Sequence, residues 1–151
     1  GLLGEEQHRL ATGALELSGQ TAADVAIPTA DLVTVRRGAT VAELESLCAE
    51  TGFSRFPVAG ESGELDGYLH LKDLLGVEPG RRHEAFDPKW IRPWVSSASD
   101  DSLRRLLATL RRRGVHLARV VDPHSGQMVG VAALEDVLEE IVGEVSDVTQ
   151  Q

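Results

Sequence analysis

Two copies of one step constrain this chain more than any other feature. Gly67-Tyr68-Leu69-His70-Leu71-Lys72-Asp73 and Gly130-Val131-Ala132-Ala133-Leu134-Glu135-Asp136 each pass from an apolar strand into a helix start, with glycine and aspartate six residues apart. A shift of 63 residues carries Val58 onto Val121, Gly67 onto Gly130 and Asp73 onto Asp136, so the chain reads as a tandem repeat. After the second copy, Leu134, Val137, Leu138, Ile141, Val142 and Val145 recur at helical spacing and predict a buried stripe. Asp136 then falls in the first helical turn. A carboxylate there lies beside free N–H groups and the positive end of the helix dipole, held ionised and outward to accept hydrogen bonds from a ligand. The competing reading is plain stabilisation of the helix start, about 0.5 kcal/mol at a surface.

The rest of the chain follows the repeat. Glu5 to Leu17 reads as an amphipathic lead-in helix closed by Ser18-Gly19, and Thr21 to Pro28 as a further helical turn stopped by proline. Leu32 to Val35 is a short strand. Thr40-Val41-Ala42-Glu43 is a capping box that starts a helix with Val41, Leu44, Leu47 and Cys48 on one face, ended by Gly52. Arg55 to Ala59 is a strand whose Pro57 places it at an edge or strand start. Leu65 to His70 is the next strand, and Asp73 opens a short helix. The same order returns from Ile91: an extended stretch, a helix capped by Ser99-Asp100-Asp101 with Leu103, Leu106, Leu107 and Leu110 on one face, then strands at His116 to Asp122 and Gln127 to Ala133. The boundaries expected are a lead-in at 1–20, repeats at 21–80 and 91–146, a linker at 81–90 and a tail at 147–151. Trp90 and Trp94 bracket Pro93 and anchor the connection, to the core or at a module interface.

Composition narrows the function. A net charge of -9 over 151 residues opposes nonspecific binding to nucleic acid or anionic membrane. The single cysteine, Cys48, cannot form an internal disulfide and reads as core. No apolar run approaches 18 residues, so the stretch does not itself span a membrane. Histidines 8, 70, 83, 116 and 124 show no paired metal-ligand spacing, and the glycines form no phosphate-cradling loop, which argues against an enzyme. Glu139, Glu140, Glu144 and Asp147 form a solvated acidic face or, alternatively, attract cations; Arg111-Arg112-Arg113 complements a helix C-terminus or, alternatively, contacts phosphate across a dimer.

Against this background the repeat resembles a tandem pair of CBS domains, a Bateman module. Ser54-Arg55-Phe56-Pro57-Val58, His116-Leu117-Ala118-Arg119-Val120-Val121-Asp122 and Leu134 through Glu144 are similar to the CorC/HlyC and CNNM family of transporter-associated CBS pairs, as is the lead-in from Glu5-Glu6 to Ile27-Pro28. The resemblance implies an α/β fold of two pseudo-symmetric β-α-β-β-α units packed through their sheets. It also implies a regulatory module on the cytoplasmic side of the cell membrane, joined to an upstream transmembrane domain and paired as a homodimer, without nucleic acid. Its ligand would be ATP or AMP, in some members with Mg2+, and the associated transport that of magnesium or another divalent cation.

Carried over residue by residue, Asp73 and Asp136 match the carboxylate that holds the ribose hydroxyls; one carboxylate can accept from both donors of a vicinal diol. Around the first cleft the resemblance implies Ile27, Ser54, Arg55, Phe56, Pro57, Tyr68 and His70. Around the second it implies Ile91, His116, Leu117, Ala118, Val131 and Ala133. Three residues depart from the family. The hydroxyl residue usual three places before each aspartate is His70 in one repeat and Ala133 in the other, and Thr29 follows Pro28 where the family has arginine. A lost hydrogen bond to a charged group is worth about 1.5–3 kcal/mol. The expected mechanism is a population shift in which nucleotide favours one arrangement of the pair, transmitted through the lead-in helix. The alternative is a degenerate pair that binds no nucleotide and serves as a dimerisation scaffold; a catalytic domain is third.

Overall fold

The structure, a computed structural model, describes residues 19–150, with the side chains of residues 144, 145 and 147–150 left out. The expected lead-in helix at Glu5 to Leu17 lies outside the described residues, as do the side chains of Glu144 and Asp147. In chain order the elements are α1 (Ala22–Val25), β1 (Ile27–Pro28), β2 (Val35–Arg36), α2 (Val41–Thr51), β3 (Arg55–Ala59), β4 (Leu65–His70), β5 (Val95–Ala98), α3 (Leu103–Arg113), β6 (Leu117–Val121), β7 (Met128–Ala133) and α4 (Leu134–Gln150). Short 3-10 turns lie at Thr29–Asp31, Leu71–Leu74, Pro79–Arg81 and Pro88–Trp90.

The compact units are not the two repeats as drawn from the sequence. One holds residues 33–94 and carries Asp73; the other joins 19–32 to 95–150 and carries Asp136. Each segment leading into a repeat has crossed to the sheet of the other repeat. In the Asp136 unit the sheet order is β1-β7-β6-β5, with β1 antiparallel to β7 through Ile27↔Val131 and Pro28↔Gly130. In the Asp73 unit the order is β2-β3-β4, and the corresponding crossing is a single antiparallel bridge, Tyr68↔Arg92. Thr21 to Pro28 is therefore a helical turn followed by a strand rather than helix alone. A two-residue strand carries no periodicity from which to read it.

Both crossings need glycine. A Cβ on Gly67 would overlap the Arg92 carbonyl oxygen and the Ile91 side chain; one on Gly130 would overlap the Ile27 carbonyl oxygen. The backbones meet where only hydrogen fits. The ladders also refine the repeat. Val58 pairs with Gly67 as Val120 pairs with Gly130, so Val58 matches Val120, not Val121. Both hairpins bulge in the same place, at Val58/Ala59 and Val120/Val121.

Local signals hold where they are complete. Thr40 Oγ1 accepts from the Glu43 N–H at 3.1 Å and Glu43 Oε2 from the Thr40 N–H at 3.2 Å, while Gly52 closes α2 in the left-handed conformation. Helix α3 is capped by Ser102, whose Oγ accepts from the Arg105 N–H at 3.1 Å, not by the preceding Ser99-Asp100-Asp101. The Asp101 carboxylate is engaged elsewhere, accepting from Ala98 N–H at 2.9 Å and Ser97 Oγ at 3.0 Å. Pro57 sits inside β3, yet β2 reaches only Val58 and Ala59, so the missing N–H breaks no ladder toward β2.

Each unit has its own core. Leu103, Leu106, Leu110, Ala118, Val120, Ala132 and Val137 bury together with Ala22 in one. Val41, Leu44, Phe56, Val58, Leu69, Leu74 and Phe86 bury with Val35 and Ala39 in the other. Cys48 packs at the edge of the second core, and burial pushes its thiol pKa up. The α4 stripe is narrower than its spacing implies. Val137 is buried and Leu134 and Ile141 partly so, but Leu138 is 45% and Val142 69% exposed. One sheet covers one side of the helix, and residues one position beyond that side face out.

Candidate functional site

Strand β7 runs directly into α4, which sets Asp136 in the first helical turn at the end of the sheet. The start is pinned by the Leu134 N–H donating to the His116 carbonyl at 2.8 Å. Along β6 the two faces differ in which residues join the core of this unit, although Leu117 is buried too. Ala118 and Val120 point into the core, whereas Leu117, Arg119 and Val131 belong to the opposite face. Ala118 is fully buried, so it is core rather than wall. His116 Nδ1 lies 3.2 Å from Glu135 Oε1, and Arg119 Nε donates to Ser96 Oγ at 2.6 Å, so the two point to different partners.

Asp136 accepts no hydrogen bond from any described residue. Burial, then the carboxylates of Glu139 and Glu135, push its pKa above the usual aspartate value. Ala133, immediately before the helix, offers no side-chain cap or ligand contact. Ile27, expected beside Asp73, instead pairs with Val131 in the Asp136 unit and is 39% exposed. Thr29 Oγ1 donates to the Met128 carbonyl at 3.4 Å in the same unit.

The other aspartate stands differently. The Asp73 helix start is only the 3-10 turn Leu71–Leu74, with Asp73 in its third position. His70 supplies the cap: its Nδ1 accepts from the Lys72 N–H at 3.0 Å, doing for this turn what a hydroxyl would do and leaving Nε2 to carry the ring proton. Burial, then the charges of Arg55, Arg92 and Lys72, hold the His70 pKa below its ordinary value against the opposing Asp73. The Asp73 carboxylate is taken. Arg92 Nη2 donates to its two oxygens at 3.1 and 3.2 Å.

Ile91, expected near Asp136, packs on the core of the Asp73 unit. Phe56 is core as well, since its position in β3 turns it toward α2, while Pro57 and Tyr68 lie on the other face. Ser54 uses its carbonyl to hold the Leu71 N–H at 2.7 Å. The tryptophans anchor this unit. Trp90 packs on its core, and Trp94 donates to the Leu65 carbonyl at 3.1 Å with its ring 5.4 Å from Tyr68.

A groove of about 740 Å³ beside Asp73 is lined by Glu78, Glu84 and Asp87 against one arginine, Arg81, which Glu84 already holds at 2.9 Å. Such a lining repels phosphate. Arg92 is the residue that sequence reasoning missed. Its signal was an arginine set between Ile91 and Pro93 in an otherwise apolar lead-in. Among the described residues no cluster of His, Cys, Asp or Glu could hold a metal ion, and no helix is long and apolar enough to cross a membrane.

Comparison with known proteins gives this geometry a family. The CBS-domain family model matches residues 22–80 and 91–143. An uncharacterized protein of Mycobacterium tuberculosis is 36% identical over 156 aligned residues, covering 100% of this chain and 45% of the relative. The magnesium and cobalt efflux protein CorC of Escherichia coli is 33% identical over 150 residues, covering 97% of this chain and 50% of the relative. The chain thus spans about half the length of these curated relatives. Among solved structures, the CBS domain of the bacterial CNNM/CorC family Mg2+ transporter in complex with ATP is 31% identical, with a TM-score of 0.77 over 93% of this chain and 98% of that one. The chain belongs to the CBS-domain family, as a tandem CBS pair of the CNNM/CorC type.

Proposed function

We propose that this CBS pair is a regulatory module that binds an adenine nucleotide beside Asp136 and so controls an associated membrane transporter for magnesium or another divalent cation. The observation that carries the reading is the Asp136 carboxylate, partly buried at a helix start and accepting from no described residue. A vicinal diol supplies the two donors it lacks, and the free N–H groups of the first turn favour the anionic part of the same ligand. Similarity to a CBS domain solved with ATP supports the choice of nucleotide. Glu135 and Glu139 oppose bare phosphate, so a nucleotide carrying magnesium on its phosphates binds better than the free anion. Binding favours one conformation of the pair, and that shift is the signal.

A second reading has its own support. Ala133 removes a hydroxyl and Thr29 a fixed charge, features of a pair kept for dimerisation alone. Calorimetric titration of the chain with ATP and AMP, each with and without magnesium, separates the two. Saturable binding that weakens at least about tenfold in Asp136→Ala is expected from one lost charge-assisted diol contact. Absence of binding at millimolar nucleotide removes the nucleotide reading and leaves the scaffold reading standing.

A further inference from the structure

We infer that Arg92 is an internal occupant of the Asp73 cleft, closing it to a ribose diol and leaving the pair with one nucleotide site. The inference deepens the nucleotide reading above and rests on it only for the identity of the ligand.

The two units supply the comparison. In the ladders, Tyr68 takes the place of Val131 and Gly67 that of Gly130, so the lead-in residue bridged to Tyr68, Arg92, stands where Ile27 stands in the Asp136 unit. The crossing holds Arg92 firmly: its N–H donates to the Tyr68 carbonyl at 2.8 Å and its carbonyl accepts from the Tyr68 N–H at 3.0 Å. Gly67 lets the two backbones approach. From that fixed root the guanidinium reaches both Asp73 oxygens, with the two side chains only 34% and 21% exposed. These oxygens are the acceptors a diol would need. A charge-assisted contact made without any loss of translational freedom outcompetes a free ligand for them.

The rest of the cleft agrees. Arg92 Nε is buried without a partner, so the guanidinium is placed for Asp73 at the cost of one unsatisfied donor. Glu78, Glu84 and Asp87 line the groove that Asp73 also lines, a surface that repels phosphate. At the matching ladder position of the other unit, Ile27 has no charge to offer, and among the described residues Asp136 accepts no hydrogen bond.

The test is nucleotide stoichiometry by calorimetry, with ATP plus magnesium, on the wild-type chain, Asp73→Ala, Arg92→Gln and Arg92→Met. Asp73→Ala is expected to leave binding within about twofold of wild type, since its carboxylate is not available. Either Arg92 variant is expected to add a second site per chain, abolished again by combining it with Asp73→Ala. A tenfold loss in Asp73→Ala overturns the inference and leaves the nucleotide reading standing. Failure of both folded Arg92 variants to gain a site also overturns it. If neither Arg92 variant folds, the Asp73→Ala result decides. Binding absent from wild type but gained in an Arg92 variant upholds the inference while removing the Asp136 site.

Discussion

Arg92 and Ile27 occupy the same rung of two matching ladders, and the difference between them separates the two halves of the molecule. Both enter antiparallel to the last strand of a hairpin, and both cross a glycine that admits their backbone. One carries a guanidinium that satisfies the neighbouring aspartate; the other carries an alkyl chain that does not. Backbone architecture is thus repeated while chemistry is not. A repeat motif of glycine and aspartate fixes where a carboxylate sits, but the residue facing it determines whether that carboxylate is free. The same lesson holds for the cap position, where His70 accepts from the Lys72 N–H and Ala133 accepts nothing.

The largest effect expected from disturbing this comparison is at the glycines. Gly67→Ala and Gly130→Ala each force a methyl group against a carbonyl oxygen of the lead-in, and each is expected to cost about 1–3 kcal/mol by overpacking. Urea denaturation measures the loss. Equal costs confirm that the crossings are equivalent in backbone; a neutral result at either one breaks the equivalence.

Next in size is transplantation of the charge. Ile27→Arg places on the Asp136 ladder the side chain that Arg92 places on the other, and nucleotide affinity is expected to drop about tenfold, the worth of one charge-assisted contact. Titration calorimetry reads it. Unchanged affinity with an intact melt would show that the rung position alone does not bring an arginine to the aspartate.

The smallest effect is in pH. The His70 pKa is lowered in the fold, so the neutral ring contributes stability that is present above its unfolded value near 6.5 and is lost as pH falls through that value toward the folded one. His70→Asn keeps a side-chain acceptor for the turn without a titrating ring. Between about pH 7 and about pH 5 the wild type is expected to lose up to about 0.5 kcal/mol more than the variant, the range of surface substitutions. Parallel thermal melts at the two pH values check it, and coincident pH dependence would remove His70 from the turn's energetics.

Much of the fold was legible because its signals are local. The Thr40–Glu43 box, the left-handed Gly52 and Gly114, and the apolar faces of α2 and α3 each lie within a few residues, so they can be read without knowing the packing. The aspartate positions were legible for the same reason, through their repeated distance from a glycine. Ile27, Ile91, Phe56 and Ala118 were not. Their places depend on which sheet a lead-in joins and which face of a strand turns inward, and neither is encoded in a two-residue strand or a short apolar run.

By itself, then, the sequence determined a tandem CBS pair: the order of its longer strands and helices, the two carboxylates just after the strands, the missing hydroxyl at Ala133. Local backbone preferences and capping act over three or four residues and leave their mark in the residue order. Only the tertiary structure decided the exchange of lead-ins and, through it, that Asp73 is paired while Asp136 has no partner among the described residues. Ile27 meets Val131, and Arg92 meets Tyr68 and Asp73, across segments far apart in the chain. Such pairings are selected by burial of whole faces and by the fit of backbone against glycine, quantities that exist only once the chain has folded.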